Sequence, residues 1–141
     1  RADRLPNDPA WREACAWIAE SGRMPPDARF FVPRMSQTFK WYTHRGIVVS
    51  WKEIPQDARG LVDWQRRIED VYETHFDAPL PRWYDSPTEL HPDRLRRMAE
   101  RYQADYAIGS LPKQPTPFPI VFQNQAYVIY QLRPESSKPK P

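Results

Sequence analysis

The apolar positions along the chain fall into two rhythms. In "NDPAWREACAWIAESG", Trp11, Cys15 and Ile18 recur at spacings of four and three, which makes one stripe of an α-helix. Asp8 is suited to cap it and Pro9 to its first position, where no N–H is needed; Gly22 suits the exit. "SQTFKWYTHR" predicts a short helix with Ser36 as its cap and Phe39 and Tyr42 on one side. "PQDARGLVDWQRRIEDVYETHF" predicts the longest helix, with Leu61, Trp64, Ile68, Val71, Tyr72 and then His75 or Phe76 turned inward. A fourth helix carries Leu95, Met98, Ala99 and Tyr102. It is preceded by "SPTEL", which has the form of a capping box with Ser86 at the cap and Glu89 three residues on.

Short unbroken apolar runs lie between these helices. "ARFFVP", "GIVVSW" and "DYAIGS" predict three strands, and "PIVFQNQAYVIYQL" predicts a β-hairpin turning near Asn124 and Gln125. The run in "GIVVSW" suggests burial on both faces, as in a parallel sheet. Strands alternating with helices imply right-handed parallel crossovers. The expected fold is α/β: a layered sheet of about five strands, largely parallel, with a C-terminal antiparallel hairpin and helices packed on it. Residues 8–133 form the expected single domain, 1–7 a linker from a preceding region, and 134–141 a disordered tail.

Composition narrows this picture. Nineteen aromatic residues supply a core, and the single cysteine, Cys15, allows no intrachain disulfide. On the helical stripe Cys15 reads as a small core residue. The net charge is +3, of which the tail from Arg133 onward contributes +2. Cations in the body are matched, as in Asp63/Arg67 and Arg66/Asp70 at helical spacing, so no nucleic-acid partner is expected. No apolar run approaches the roughly 18 residues of a membrane helix. The opening "RADRLP", without methionine, is what an excised fragment or processed product would show.

Little in the sequence points to a reaction. Gly22, Gly46, Gly60 and Gly109 are isolated, so no phosphate-cradling glycine loop is spelled out. His44, His75 and His91 are far apart and on different elements, so neither a metal site nor any other cofactor is expected. No GxSxG elbow occurs, and the carboxylate pairs Glu69/Asp70 and Glu53/Asp57 are ordinary helix-surface or helix-start features. No catalytic residue is assigned.

One cluster survives. In an open parallel sheet, ligands sit beyond the carboxyl ends of the strands. There the chain carries Arg34, Ser36 and Gln37 after the first strand, and Trp51 and Lys52 after the second. Arginine and lysine beside tryptophan suit an anionic or sugar-like group by charge and stacking. The favoured alternative is packing: Trp51 covers the sheet end while Arg34 and Lys52 pair with Glu53 or Asp57. The proline-rich connector "DAPLPRWYDSP" leaves open what Trp83 and Tyr84 touch.

The pattern "ACAWIAESGRMPPDARFFVPR…FKWYTHRGIVVSWKEIPQD…LVDWQRRI", with the later "ERYQADYAIGS" and "PIVFQNQAYVIYQL", resembles the C-terminal soluble domain of uncharacterised bacterial polytopic membrane proteins. Those in turn resemble membrane glycosyltransferases that use lipid-linked sugar donors. The resemblance runs from about Pro9 to Leu132. It implies a domain on the extracytoplasmic side of the membrane, whose partner is the membrane-embedded portion of the same protein. A glycan or lipid-linked sugar is the implied ligand class. The acidic residues of such enzymes lie in their membrane loops and have no counterpart here, so the fragment itself is expected to be non-catalytic. Two further readings stand beside this: a free-standing α/β domain binding a small anion or sugar at the Arg34/Trp51/Lys52 corner, and a small hydrolase or transferase whose site cannot be paired by sequence.

Overall fold

A computed structural model describes residues 8–34, 36, 38–51, 53–73, 83–111, 113 and 115–134. The linker and most of the tail expected at the termini, together with His75 and Phe76, lie outside these residues. The chain runs α1 (Asp8–Glu20), β1 (Arg29–Phe31), α2 (Phe39–Thr43), β2 (Gly46–Ile47), α3 (Ala58–Tyr72), a 3-10 turn (Pro87–Glu89), α4 (Pro92–Tyr102), β3 (Tyr106–Ser110), β4 (Ile120–Gln123) and β5 (Tyr127–Gln131). The strands form a single five-stranded sheet in the order β2-β1-β3-β5-β4.

The sheet is mixed rather than largely parallel. β1 pairs in parallel with β2 and β3, while β5 pairs antiparallel with both β3 and β4. The expectation rested on strands alternating with helices and on unbroken apolar runs. Those runs report burial on both faces and not strand direction. β3 and β5, paired antiparallel, are buried over four consecutive residues each, because helices cover both sides of them. β2, read as a buried strand, is instead a two-residue edge whose first residue is exposed. Val48 and Val49 are buried, but they lie past its end. Of the hairpin strands, the more apolar β5 sits inside the sheet and the partly exposed β4 takes the edge.

Strand alternation sends successive residues to opposite faces. Phe30, Tyr106, Ile108, Tyr127 and Ile129 meet Trp11, Cys15 and Ile18 of α1 and Phe39 of α2. Phe31, Ala107, Val128 and Tyr130 meet Ile68, Val71 and Tyr72 of α3 and Leu95, Met98, Ala99 and Tyr102 of α4. Trp11 anchors the first layer. Its ring centre lies 5.2 Å from that of Tyr127 and 6.1 Å from that of Phe39, and its Nε1 donates to Thr38 Oγ1 at 3.0 Å. On the other layer Leu61 is a correction to the inward stripe: it is 42% exposed, and burial on α3 begins only with Trp64 and Ile68. The first turn of α3 therefore lies outside the core.

Local signals explain most element ends. Asp57 caps α3 by accepting from Gly60 N, and Gly22 adopts φ +74° just past α1. Asp8 lies within α1, its carboxylate 3.0 Å from Arg12 Nε. The Ser86/Glu89 capping box is present, but it opens the 3-10 turn rather than α4. His91 caps α4 through Nδ1, which accepts from Asp93 N. Asn124 fixes the hairpin: its Oδ1 accepts from the N–H groups of Ala126 and Tyr127, and its Nδ2 donates to Ala10 O and Glu13 Oε1 of α1. Asp63 pairs with Arg67 as expected. Asp70 instead reaches α4, where Arg101 and the Tyr102 hydroxyl both donate to its Oδ2.

Candidate functional site

Past its last strand residue, β1 continues through Val32 and Pro33 to Arg34. The Arg34 guanidinium lies over the Trp51 ring, 4.9 Å from its centre. Its Nη2 donates to Asp85 Oδ1 at 3.2 Å, and its backbone N–H donates to Asp85 O at 2.7 Å. Asp85 is held in turn by Glu89, whose carboxylate accepts from Asp85 N and Ser86 N. A capping-box residue therefore fixes the loop that presents the carboxylate to Arg34.

Trp51 sits in an aromatic corner. Tyr72 meets it edge-on at 5.7 Å and Trp83 at 5.1 Å. The backbone leading to it is tied by Trp64 Nε1 to Ser50 O and by Arg67 Nη1 to Val48 O, both at 2.8 Å. Trp83 joins through an antiparallel bridge to Glu73, and the adjacent Tyr84 N–H donates to Tyr72 O at 2.7 Å. Trp83 touches the domain itself, yet keeps 37% of its surface exposed. The Tyr72 hydroxyl donates to Val32 O. Burial raises the Tyr72 pKa above the ordinary phenol range, and the Arg34 charge opposes that shift.

The structure brings Arg34 and Trp51 together. Ser36, by contrast, is buried and its hydroxyl donates to Pro33 O, so it faces no cleft. Nor does Ser36 cap α2. Thr38 holds the cap position without a capping bond, and its hydroxyl accepts from Trp11. Gln37 and Lys52 lie outside the described residues. Neither carboxylate proposed as a packing partner pairs with Arg34: Glu53 pairs with Lys40 at 3.1 Å, and Asp57 is the α3 cap. Asp85 and Trp83 complete the corner and were not singled out as partners. Their contacts with Arg34 and Trp51 join distant segments, and no periodicity or short motif marks such a contact.

Chemically, the corner can stack a flat or ring-shaped group on indole and offer a guanidinium and a carboxylate beside it. The buried hydroxyls nearby are already used: Ser86 Oγ donates to Ile108 O and Thr88 Oγ1 to Ser86 Oγ. Among the described residues, no group of three or more His, Cys, Asp or Glu side chains could hold a metal ion, and no helix is long and apolar enough to cross a membrane.

No curated protein matches the chain. Residues 9–71 match the family described as "Domain of unknown function (DUF6798)". The match covers less than half of the 141 residues. It spans α1 through nearly all of α3 and includes Arg34 and Trp51, but not Trp83 or Asp85. Over that span, the chain is similar to a family whose function is not described.

Proposed function

We propose that this domain is a non-catalytic accessory module of a polytopic membrane protein. It stands on the extracytoplasmic side against the membrane-embedded portion, and contributes a recognition surface for a glycan or lipid-linked sugar. The full-length protein would carry any glycosyltransferase activity in its membrane part. The observation that carries this reading is the Arg34–Trp51–Trp83 corner, where a guanidinium stacked on indole meets a half-open second indole. It is supported by the buried Ser36, Thr43, Ser86 and Thr88 hydroxyls, which are spent on backbone carbonyls and on one another.

Two measurements test it. The reading frame preceding Arg1 should encode several apolar spans of about 20 residues each. In intact cells, a cysteine label placed at Trp41, which is 78% exposed, should react with a membrane-impermeant reagent. A reading frame without spans, or a label reached only after lysis, overturns the placement.

The second reading, a free-standing domain for a small anionic or sugar ligand, draws on the Arg34–Asp85 pair, which presents both charges at the same corner. A thermal-shift screen of sugars and sugar acids addresses it, since a ligand of the native state raises the melting temperature. Arg34→Ala should abolish that rise, in addition to any lowering of the unliganded melting temperature from its lost contacts with Trp51 and Asp85. Lower stability with an intact ligand response removes the corner as a site.

A further inference from the structure

At the opposite end of the sheet from Arg34, a cleft of about 570 Å³ opens where β3 and β4 begin and β5 ends. Its volume lies within the roughly 300–1,000 Å³ of small-molecule sites. Trp17, from the last turns of α1, forms one wall. Its ring packs 5.1 Å from that of Phe122, which fixes the indole. Gly22, at φ +74°, turns the chain back after α1 and delivers Arg23 and Met24 to the same rim. That rim is fastened from behind: Arg45 Nη2 donates to Met24 O at 3.0 Å and to Ile18 O at 3.4 Å. On the far side, Gln131 donates its N–H to Pro119 O and its Nε2 to Arg133 O, which leaves Oε1 as an acceptor. Arg23 is the only formally charged residue among the described lining residues, and it is exposed.

We propose that this cleft binds a ring-bearing carboxylate, with the ring on the Trp17 indole and the carboxylate on the Arg23 guanidinium. An indole face held by packing accepts a ring without first being ordered. A guanidinium fork matches a carboxylate bidentately, and Arg23, the one formal charge among the described lining residues, favours the anion over its neutral counterpart. Gln131 Oε1 suits a ring hydroxyl. A sugar acid and an aromatic acid share this chemistry. The proposal is independent of the accessory-module reading, whose residues lie at the other end of the sheet.

Titration of the ¹⁵N-labelled chain with glucuronate, benzoate and their neutral counterparts glucose and benzyl alcohol tests it. At least one acid should shift the Trp17 indole N–H and the Ile120 and Gln131 amides saturably, at least about tenfold more tightly than its neutral counterpart. Glucuronate alone assigns a sugar acid, benzoate alone an aromatic acid, and both the shared class. Arg23→Gln alters an exposed side chain and should keep the spectrum of the folded chain while weakening the acid about tenfold or more, consistent with loss of a charge-assisted contact. The proposal is overturned if neither acid gives saturable shifts at these residues. Equal binding by the neutral counterpart, or by Arg23→Gln, also overturns it.

Discussion

The side chain of Thr88 occupies the space that a side chain at Gly109 would need. A Cβ built on Gly109 falls 2.2 Å from Thr88 Oγ1 and 3.0 Å from Thr88 Cβ and Cγ2. The 3-10 turn thus lies flush against β3, held there by Ser86 Oγ donating to Ile108 O. This glycine exists for close packing and not for a phosphate.

Gly109→Ala should therefore cost about 1–3 kcal/mol, the usual range for overpacking a tight contact. Thr88→Ala removes the nearest atoms and leaves the 3.0 Å contact, so the double variant should cost clearly less than the two single changes summed. Urea unfolding of the four proteins measures this. A neutral Gly109→Ala would show that the turn yields easily.

A second prediction concerns Asp105 and Arg133, both buried, with Arg133 Nε 3.6 Å from Asp105 Oδ1. Asp105 also joins three strand ends: its Oδ2 accepts from Arg29 N, its N–H donates to Arg29 O, and its carbonyl accepts from Leu132 N. Asp105→Ala strands a buried guanidinium and should cost about 3–5 kcal/mol. Replacing Arg133 as well, as in Asp105→Ala with Arg133→Met, should recover part of that loss, because no unpaired charge remains. Chemical denaturation reads both, and a double variant as unstable as the single one would assign the loss to the Arg29 N–H left without its Oδ2 acceptor.

The alkaline side of the stability profile should be steep. Burial pushes the Cys15 thiol up to about 12. It pushes the Tyr102 phenol up to about 12 as well, with the bond to Asp70 adding to the shift. In the unfolded chain these groups ionise near 8.5 and 10. Below about pH 7.5 both states keep the protons. Above it the unfolded chain begins to release them, first from Cys15 near 8.5 and then from Tyr102 near 10, while the folded chain holds both until about 12, so stability falls as pH rises through that window. Cys15→Ala should flatten the lower part of the fall, and native Cys15 should react with a thiol reagent at pH 8 only on unfolding. Prompt reaction of the folded chain would contradict the burial.

Gln103 ends α4 at φ 57°, in the left-handed region, with its N–H on Ala99 O. A residue with a Cβ is strained there. Gln103→Gly should raise stability by about 0.5–1 kcal/mol, reduced by loss of the exposed bond from its Nε2 to Glu100 O. Thermal unfolding checks the sign; a lower melting temperature would mean that the side-chain bond outweighs the strain.

What could be read from the sequence was local. The Trp11, Cys15, Ile18 stripe, the Ser86/Glu89 box and the turn at Asn124 each depend on residues a few positions apart, and each is present. The parallel pairing of β1 with β2 and β3 and the antiparallel hairpin were legible in the alternation of strands with helices and in the turn, but the antiparallel pairing of β3 with β5 was not, because an apolar run looks the same whichever way its neighbour points. Leu61 fits the helical period of α3, but the packed core on that face includes only Trp64 and the turns after it. At the candidate corner Arg34 and Trp51 were legible as neighbours of strand ends, whereas Ser36 was assigned a cap and instead bonds Pro33 O. The Asp85 and Trp83 contacts arise only when the whole sheet is assembled.

The mixed sheet also sets an order of events on the ribosome. Arg29 and its partner Asp105 are separated by 76 positions, and β1 has only the short β2 beside it until β3 appears. At roughly 5–20 residues per second, nascent Phe30 and Phe31 wait about 4–15 s for the strand that shelters them. During that interval the two rings lack part of the cover they have in the finished sheet.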